Sequence, residues 1–134
     1  MPLTPPSICP CGSGLGLTEC CGRLIYQGLT AETAEQLMRS RYSAHVLRAI
    51  DYIWQSWSET TRQCTTPEAI RDWAESCEWL KLDILHTDDG GAADDTGTVT
   101  FCAHYRLGDH THQHLEKSLF QREAGQWHYV AHCP

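Results

Sequence analysis

Between residues 33 and 57 the apolar side chains Leu37, Met38, Tyr42, Val46, Ala49, Ile50, Ile53 and Trp57 recur at steps of three and four, the spacing that lays one apolar stripe along a helix. Asp51, followed by Tyr-Ile-Trp, reads as a cap for a second short helix and predicts a break or bend between Ala49 and Asp51. Thr66-Pro67-Glu68 sets an N-cap, a proline at the first helical position and a first-turn acid in order, so a helix should run from there to about Cys77. Beyond it the period drops to two. Residues 79–85 predict a strand, Asp88-Asp89-Gly90-Gly91 opens a loop, and residues 98–107 alternate Val99, Phe101, Ala103 and Tyr105 with Thr100, Cys102, His104 and Arg106. Two further strands are expected at 115–122 and 127–131, joined by the hairpin connection Glu123-Ala124-Gly125-Gln126. Helices first and an antiparallel sheet afterwards define an α+β arrangement.

Strand phase also says which side chains face the helices. If Val99, Phe101, Ala103 and Tyr105 face inward, the matching positions are Glu116, Ser118 and Phe120 on the next strand and Trp127 and Tyr129 on the last. A carboxylate then sits among aromatics. Arg39 and Arg41 share a helix with Leu37, Met38 and Tyr42, so at least one arginine is expected to reach inward and pair with Glu116. Such a pair reads first as structural, because a lone buried charge is costly. The sharper alternative makes Glu116 a general base or ligand anchor with Tyr42 or Tyr105 donating hydrogen bonds. His110, His112 and His114 alternate, but they follow Gly108-Asp109 at an expected hairpin tip, and no carboxylate or thiol at fixed spacing completes a metal set. No nucleophile beside a base and no phosphate-binding glycine loop can be identified.

Half of the eight cysteines lie in the first 21 residues, as Cys9, Cys11, Cys20 and Cys21. This glycine-rich head is too short to bury a core and needs a covalent or coordinate tie to be ordered. Four soft ligands match a closed structural zinc site. Gly12, Gly14 and Gly16 allow tight turns between the ligand pairs. Two disulfides are the alternative, although a bridge between adjacent Cys20 and Cys21 would be strained; an iron–sulfur cluster ranks below zinc. Cys64, Cys77 and Cys102 read as buried or half-buried small apolar residues, and Cys133 as the exposed free thiol.

The chain has 134 residues, 41% hydrophobic and 20% charged, which suits one domain with an appendage: a head and connector over 1–28 and a body over 29–134. Ten Lys and Arg against 17 Asp and Glu give a net charge of −7, which argues against attraction to nucleic acid or anionic lipid. No apolar run approaches the ~18 residues of a transmembrane helix, and residues 1–6 lack the basic and apolar regions of an export signal. A cytoplasmic protein with reduced thiols is therefore expected.

Cys9-Pro-Cys11-Gly-Ser-Gly14 with Cys20-Cys21 resembles the SEC-C motif, the zinc module at the end of the preprotein translocase ATPase. Many such motifs end in His where this chain has Cys21, so the resemblance implies one zinc held by four thiolates. The motif's docking role in the translocase implies a protein partner here. Further along, Leu37-Met38-Arg39-Ser40-Arg41-Tyr42, Asp51-Tyr52-Ile53, Trp79-Leu80, Val99-x-Phe101-x-Ala103-x-Tyr105, Glu116-x-Ser118-x-Phe120 and Gly125-x-Trp127-x-Tyr129 resemble the YchJ family. That resemblance implies a body similar to nuclear transport factor 2, a cone of helices wrapped by a curved antiparallel sheet. Many relatives carry a second SEC-C motif at the C-terminus; His132-Cys133-Pro134 holds no second cluster, so bridging through two zinc heads is not expected. The family carries no established reaction. The sequence thus supports a zinc-bearing interaction module, with a small-molecule binder or enzyme built around Glu116 as the alternative.

Overall fold

A computed structural model describes residues 8–132. A 3-10 turn at Leu17–Glu19 leads into α1 (Cys21–Ile25), followed by α2 (Ala34–Leu47), α3 (Ile50–Ser56), α4 (Glu59–Arg62) and α5 (Pro67–Ser76). Four strands follow, β1 (Glu78–Asp89), β2 (Thr96–Leu107), β3 (His110–Glu123) and β4 (Gln126–His132), paired antiparallel in sequence order. This is the α+β architecture expected, with helices packed on one curved sheet.

The predicted helix over 33–57 breaks at Arg48, which takes a left-handed conformation at φ 57°. Asp51 is not the cap but lies in the first turn of α3, where its charge suits the helix N-terminus. Thr66 caps α5 as expected, its hydroxyl accepting from the Ala69 amide at 3.1 Å. Strands β1, β3 and β4 outrun their predicted limits at both ends, and β2 starts two residues early but ends at Leu107 as expected. β3 begins at His110 rather than 115 because Gly108, at φ 63°, turns the chain so tightly that Leu107 and His110 pair directly. The 123–126 hairpin closes on Ala124 and Gly125 with φ 52° and 79°, the two left-handed positions of a type I′ turn.

Two apolar clusters hold the body together. Leu37, Met38 and Tyr42 of α2 pack on Val99, Phe101, Phe120, Trp127 and Tyr129 of the sheet. Ala44, Ile50, Ile53, Ile70 and Ala74 join α2, α3 and α5 on the other side. With the sheet on one side and the head and remaining helices around the rest, α2 buries polar residues as well, among them Ser40, Arg41 and Ser43.

One contact fixes how β1 meets β2. A Cβ at Gly97 would lie 2.4 Å from Gly90 Cα, and one at Gly90 would lie 2.8 Å from Ala34 Cβ. Backbone meets backbone here, so no rotamer change relieves a side chain. Gly97→Ala is expected to cost on the order of 2 kcal/mol through overpacking, read as a lower urea midpoint with an unchanged denaturant slope.

Candidate metal centre and cone cavity

The head's chain path brings its four thiols to one point. Gly12 and Gly14, at φ 84° and 86°, turn the chain back after Cys11, and Cys9 N–H donates to Leu15 O at 2.9 Å. Cys20 and Cys21 sit where the 3-10 turn meets α1. The next residue must be glycine, because a Cβ at Gly22 would approach Leu17 O to 2.5 Å. All four Sγ atoms lie within 4.8 Å of one another, with Cys11–Cys20 at 3.6 Å and Cys20–Cys21 at 3.9 Å. A tetrahedron of sulfurs about 2.3 Å from a zinc ion has edges of about 3.8 Å. The donor set and its spacing therefore fit a four-thiolate metal site.

Three of the thiols divide charge unequally, the pKa of Cys9 being lowered and those of Cys11 and Cys21 raised. Hydrogen bonds from Cys11 and Cys21, with one from Ser43, hold the Cys9 thiol far below its usual value, while sharing a proton with Cys11 drives Cys21 up. Ser43 of α2 reaches Cys9 Sγ at 3.4 Å, and Ser13 reaches Cys20 Sγ at 3.2 Å. Arg39 belongs to this centre rather than to the cone. Its Nη1 donates to Cys11 O at 2.8 Å and its Nε to Glu35 at 2.9 Å. Burial opposes its charge, but the bonds to Glu35 and Cys11 outweigh that and raise its pKa. The expectation that Arg39 lines the pocket is corrected by helix phase: residues two apart point about 200° apart, so when Arg41 faces the sheet Arg39 faces the head.

Between α2 and the sheet lies a cavity of about 250 Å³ lined by Met38, Arg41, Tyr42, His45, Trp57, Trp73, Trp79, Phe101, Ala103, His114, Glu116 and Tyr129. Glu116 is placed inward as strand phase requires, opposite Phe101, but no arginine pairs with it. Instead it accepts from His114 Nε2 at 2.8 Å, from Tyr129 Oη at 2.9 Å and from Ser118 Oγ. Burial opposes ionisation of Glu116, and these three bonds outweigh it, holding the carboxyl at about 2 instead of 4.5. Arg41 does reach inward, yet its guanidinium stacks 3.9 Å above the Tyr129 ring. The expected direct ion pair is thus replaced by a relay in which Tyr129 stands between the two charges. Burial raises the Tyr42 hydroxyl to about 12 and, first among several causes, raises Tyr129.

Two other expected pocket residues lie elsewhere. Tyr105 has the right phase but sits past the cavity, near the end of β2, where it meets Trp73 edge-on and Trp79 at a tilt and stacks on His112, at centroid separations of 5.3–5.6 Å. Trp127 is buried at the opposite end of the sheet. There its Nε1 donates to Glu32 O at 3.2 Å and Arg122 stacks 4.6 Å from its ring. A larger, polar groove of about 380 Å³ between the connector and α3 includes Trp127 in its lining.

His114 and His45 are the titratable cavity groups that sequence reasoning missed. The signal for His114 was its place two residues before Glu116 on one strand face, hidden by starting the strand at 115. Cys64 is exposed, not half-buried, because it follows α4 in a turn outside any apolar face. Cys77 is buried and Cys102 half-buried as expected. Cys133 lies outside the described residues.

A helix-wrapped curved sheet with an aromatic cavity, preceded by a four-cysteine knot, defines a cone-type domain carrying a cysteine head. Residues 33–132 match the family described as YchJ, middle NTF2-like domain, and the chain belongs to the YchJ family. A UPF0225 protein of Geobacter sulfurreducens is 39% identical over 124 residues, covering 92% of this chain and 77% of its own length. Another from Xanthomonas campestris pv. campestris is 41% identical over 130 residues and 96% of both chains. Among solved structures, the solution structure of a SEC-C motif containing protein from Rhodopseudomonas palustris matches with TM-score 0.85 and 34% identity over 94% of this chain and 97% of that one. The crystal structure of a SEC-C motif containing protein from Psychrobacter arcticus matches with TM-score 0.78 and 27% identity over 94% and 81%. No helix of the described residues is long and apolar enough to cross a membrane.

Proposed function

We propose that the head binds one structural zinc ion through Cys9, Cys11, Cys20 and Cys21, and that the protein is an interaction module of the bacterial cytoplasm whose head docks on a protein partner. The observation that carries this reading is how the head uses its apolar residues. Cys9, Cys11, Cys21 and Leu17 are buried and Cys20 half-buried, whereas Ile8 and Leu15 are 58% and 51% exposed. The zinc would hold the turn that displays them, much as closed four-thiolate sites hold other small folds. Head and connector take residues 1–28 and the cone the remainder. With a net charge of −7, nucleic acid is a poor partner.

Metal analysis of protein purified without added zinc should give one zinc per chain. A photo-crosslinker at Leu15 should trap a partner in cells in a metal-dependent way, and one at exposed Leu107, on the far hairpin, should not. Equal trapping from both positions, or trapping at Leu15 that survives Cys11→Ser, defeats the docking role. Zinc near zero while the reduced head stays ordered defeats the metal assignment.

A further inference from the structure

The cone cavity holds a charge that the fold leaves incompletely bonded. Arg41 is 7% exposed, and of the five N–H groups of its guanidinium only that on Nε has an acceptor among the described residues, Ser56 Oγ at 3.0 Å. Its flat faces are covered by Tyr129 at 3.9 Å and Trp57 at 5.7 Å. The two terminal nitrogens, with four N–H groups, are left to the cavity that Arg41 lines. Glu116, the one carboxylate among the described residues lining that cavity, is already engaged by His114, Ser118 and Tyr129.

With no acceptor among the described residues for these four N–H groups, the Arg41 edge is complementary to an acceptor that enters the cavity. A guanidinium edge matches a carboxylate through two parallel bonds. A phosphate dianion fits poorly, because Glu116 would face its second charge. His45 is buried and beside Arg41, which keeps it neutral at about 4, so it adds no cation for a dianion.

The remaining walls, including Trp79, Phe101, Tyr42 and Met38, are apolar and largely aromatic. Their flat faces and edges suit a ring. The volume of about 250 Å³ falls below the roughly 300–1,000 Å³ of drug-sized sites, which restricts the occupant to one ring or two fused rings. We propose that the cone cavity is a binding site for a small aromatic carboxylate, its carboxyl group held by Arg41 and its ring against the aromatic walls. This assigns the cone a ligand of its own, separate from the docking role of the head.

The test uses the full-length protein as purified, followed by amide NMR. Benzoate and indole-3-acetate are titrated beside their neutral counterparts, benzamide and indole-3-acetamide. At least one acid should shift the amides of Met38, Phe101 and Ala103 saturably with a Kd of about 1 mM or tighter, and its amide should bind at least tenfold more weakly. Arg41→Met should remove that preference, Arg41→Lys should keep part of it, and Ala103→Leu should block both forms by filling the cavity. Equal affinity for acid and amide, no saturable shift from either acid, or full affinity in a folded Arg41→Met protein overturns the proposal. Should Arg41→Met fail to fold, the comparison of acid with amide in the unaltered protein decides it.

Discussion

Chelation, or Cys11→Ser, is expected to strip hydrogen-exchange protection from residues 8–25 while leaving β2 and β3 protected. The head has little besides the proposed metal site to hold it. Its apolar cluster consists of three cysteines and Leu17, with Cys20, Ile25 and Leu47 at its margin. Helix α1 has five residues, far below the ~12–15 at which isolated helices become even marginal. Structural zinc supplies about 10–16 kcal/mol of apparent binding free energy in zinc-finger peptides, so no reserve in the head could replace it. The body, in contrast, closes around Phe120, Val99 and Ile53, each at most 1% exposed, in clusters that need no cysteine ligand. Its stake in the head amounts to the Arg39 bond to Cys11 O, the Ser43 contact with Cys9 and the packing of Leu47. Exchange measured by mass spectrometry should thus show a modest overall destabilisation with local loss of order. Cooperative collapse of the sheet would mean that head and body form one folding unit.

The elements were legible where a single rule governed them. Alternation from Val99 to Ala103 gave the inward face of β2 because one side of the sheet is covered and the other solvated. Thr66-Pro67-Glu68 gave the start of α5 because a cap is a local device. Glu116 followed from register, since a one-residue slip would have sent it to solvent. What sequence could not resolve depends on three dimensions. Arg39 and Arg41 carry the same chemistry two residues apart, and only the placement of the head on α2 gives each its own partner. Tyr105 has the phase of a cavity residue but lies beyond the cavity, because phase says nothing about distance along a strand. Tyr129 was placed inward correctly, yet its position between Arg41 and Glu116 depends on how β4 meets α2.

Glu116→Gln is expected to lower stability at neutral pH by on the order of 2 kcal/mol and to flatten the acid limb of the stability profile. A buried arginine–glutamate pair would lose about 3–5 kcal/mol when one partner is removed, but Glu116 is held by three donors and meets Arg41 only through Tyr129. Gln keeps one acceptor oxygen and turns an NH2 group toward hydroxyls that now lack an acceptor, which is the costly half of a broken bond. The pH dependence follows from two opposed shifts. The Glu116 carboxyl is depressed from 4.5 to about 2, so its contribution is full above pH 4.5 and disappears as the pH falls toward 2. Screening at this partly solvated site reduces that contribution to about 2 kcal/mol. The His114 imidazole is raised by its bond to Glu116, so its contribution is full below 6.5 and lost as the pH rises through its folded value. Together they stabilise the fold most between about pH 4.5 and 6.5. In Glu116→Gln the acid loss should shrink, and His114 should titrate lower than in the parent protein. Urea midpoints from pH 2 to 8 and NMR titration of His114 read both effects. A Gln variant with an unchanged or raised midpoint would instead mark Glu116 as a carboxylate kept against the preference of the fold. That would move the working chemistry of the cavity from Arg41 to Glu116.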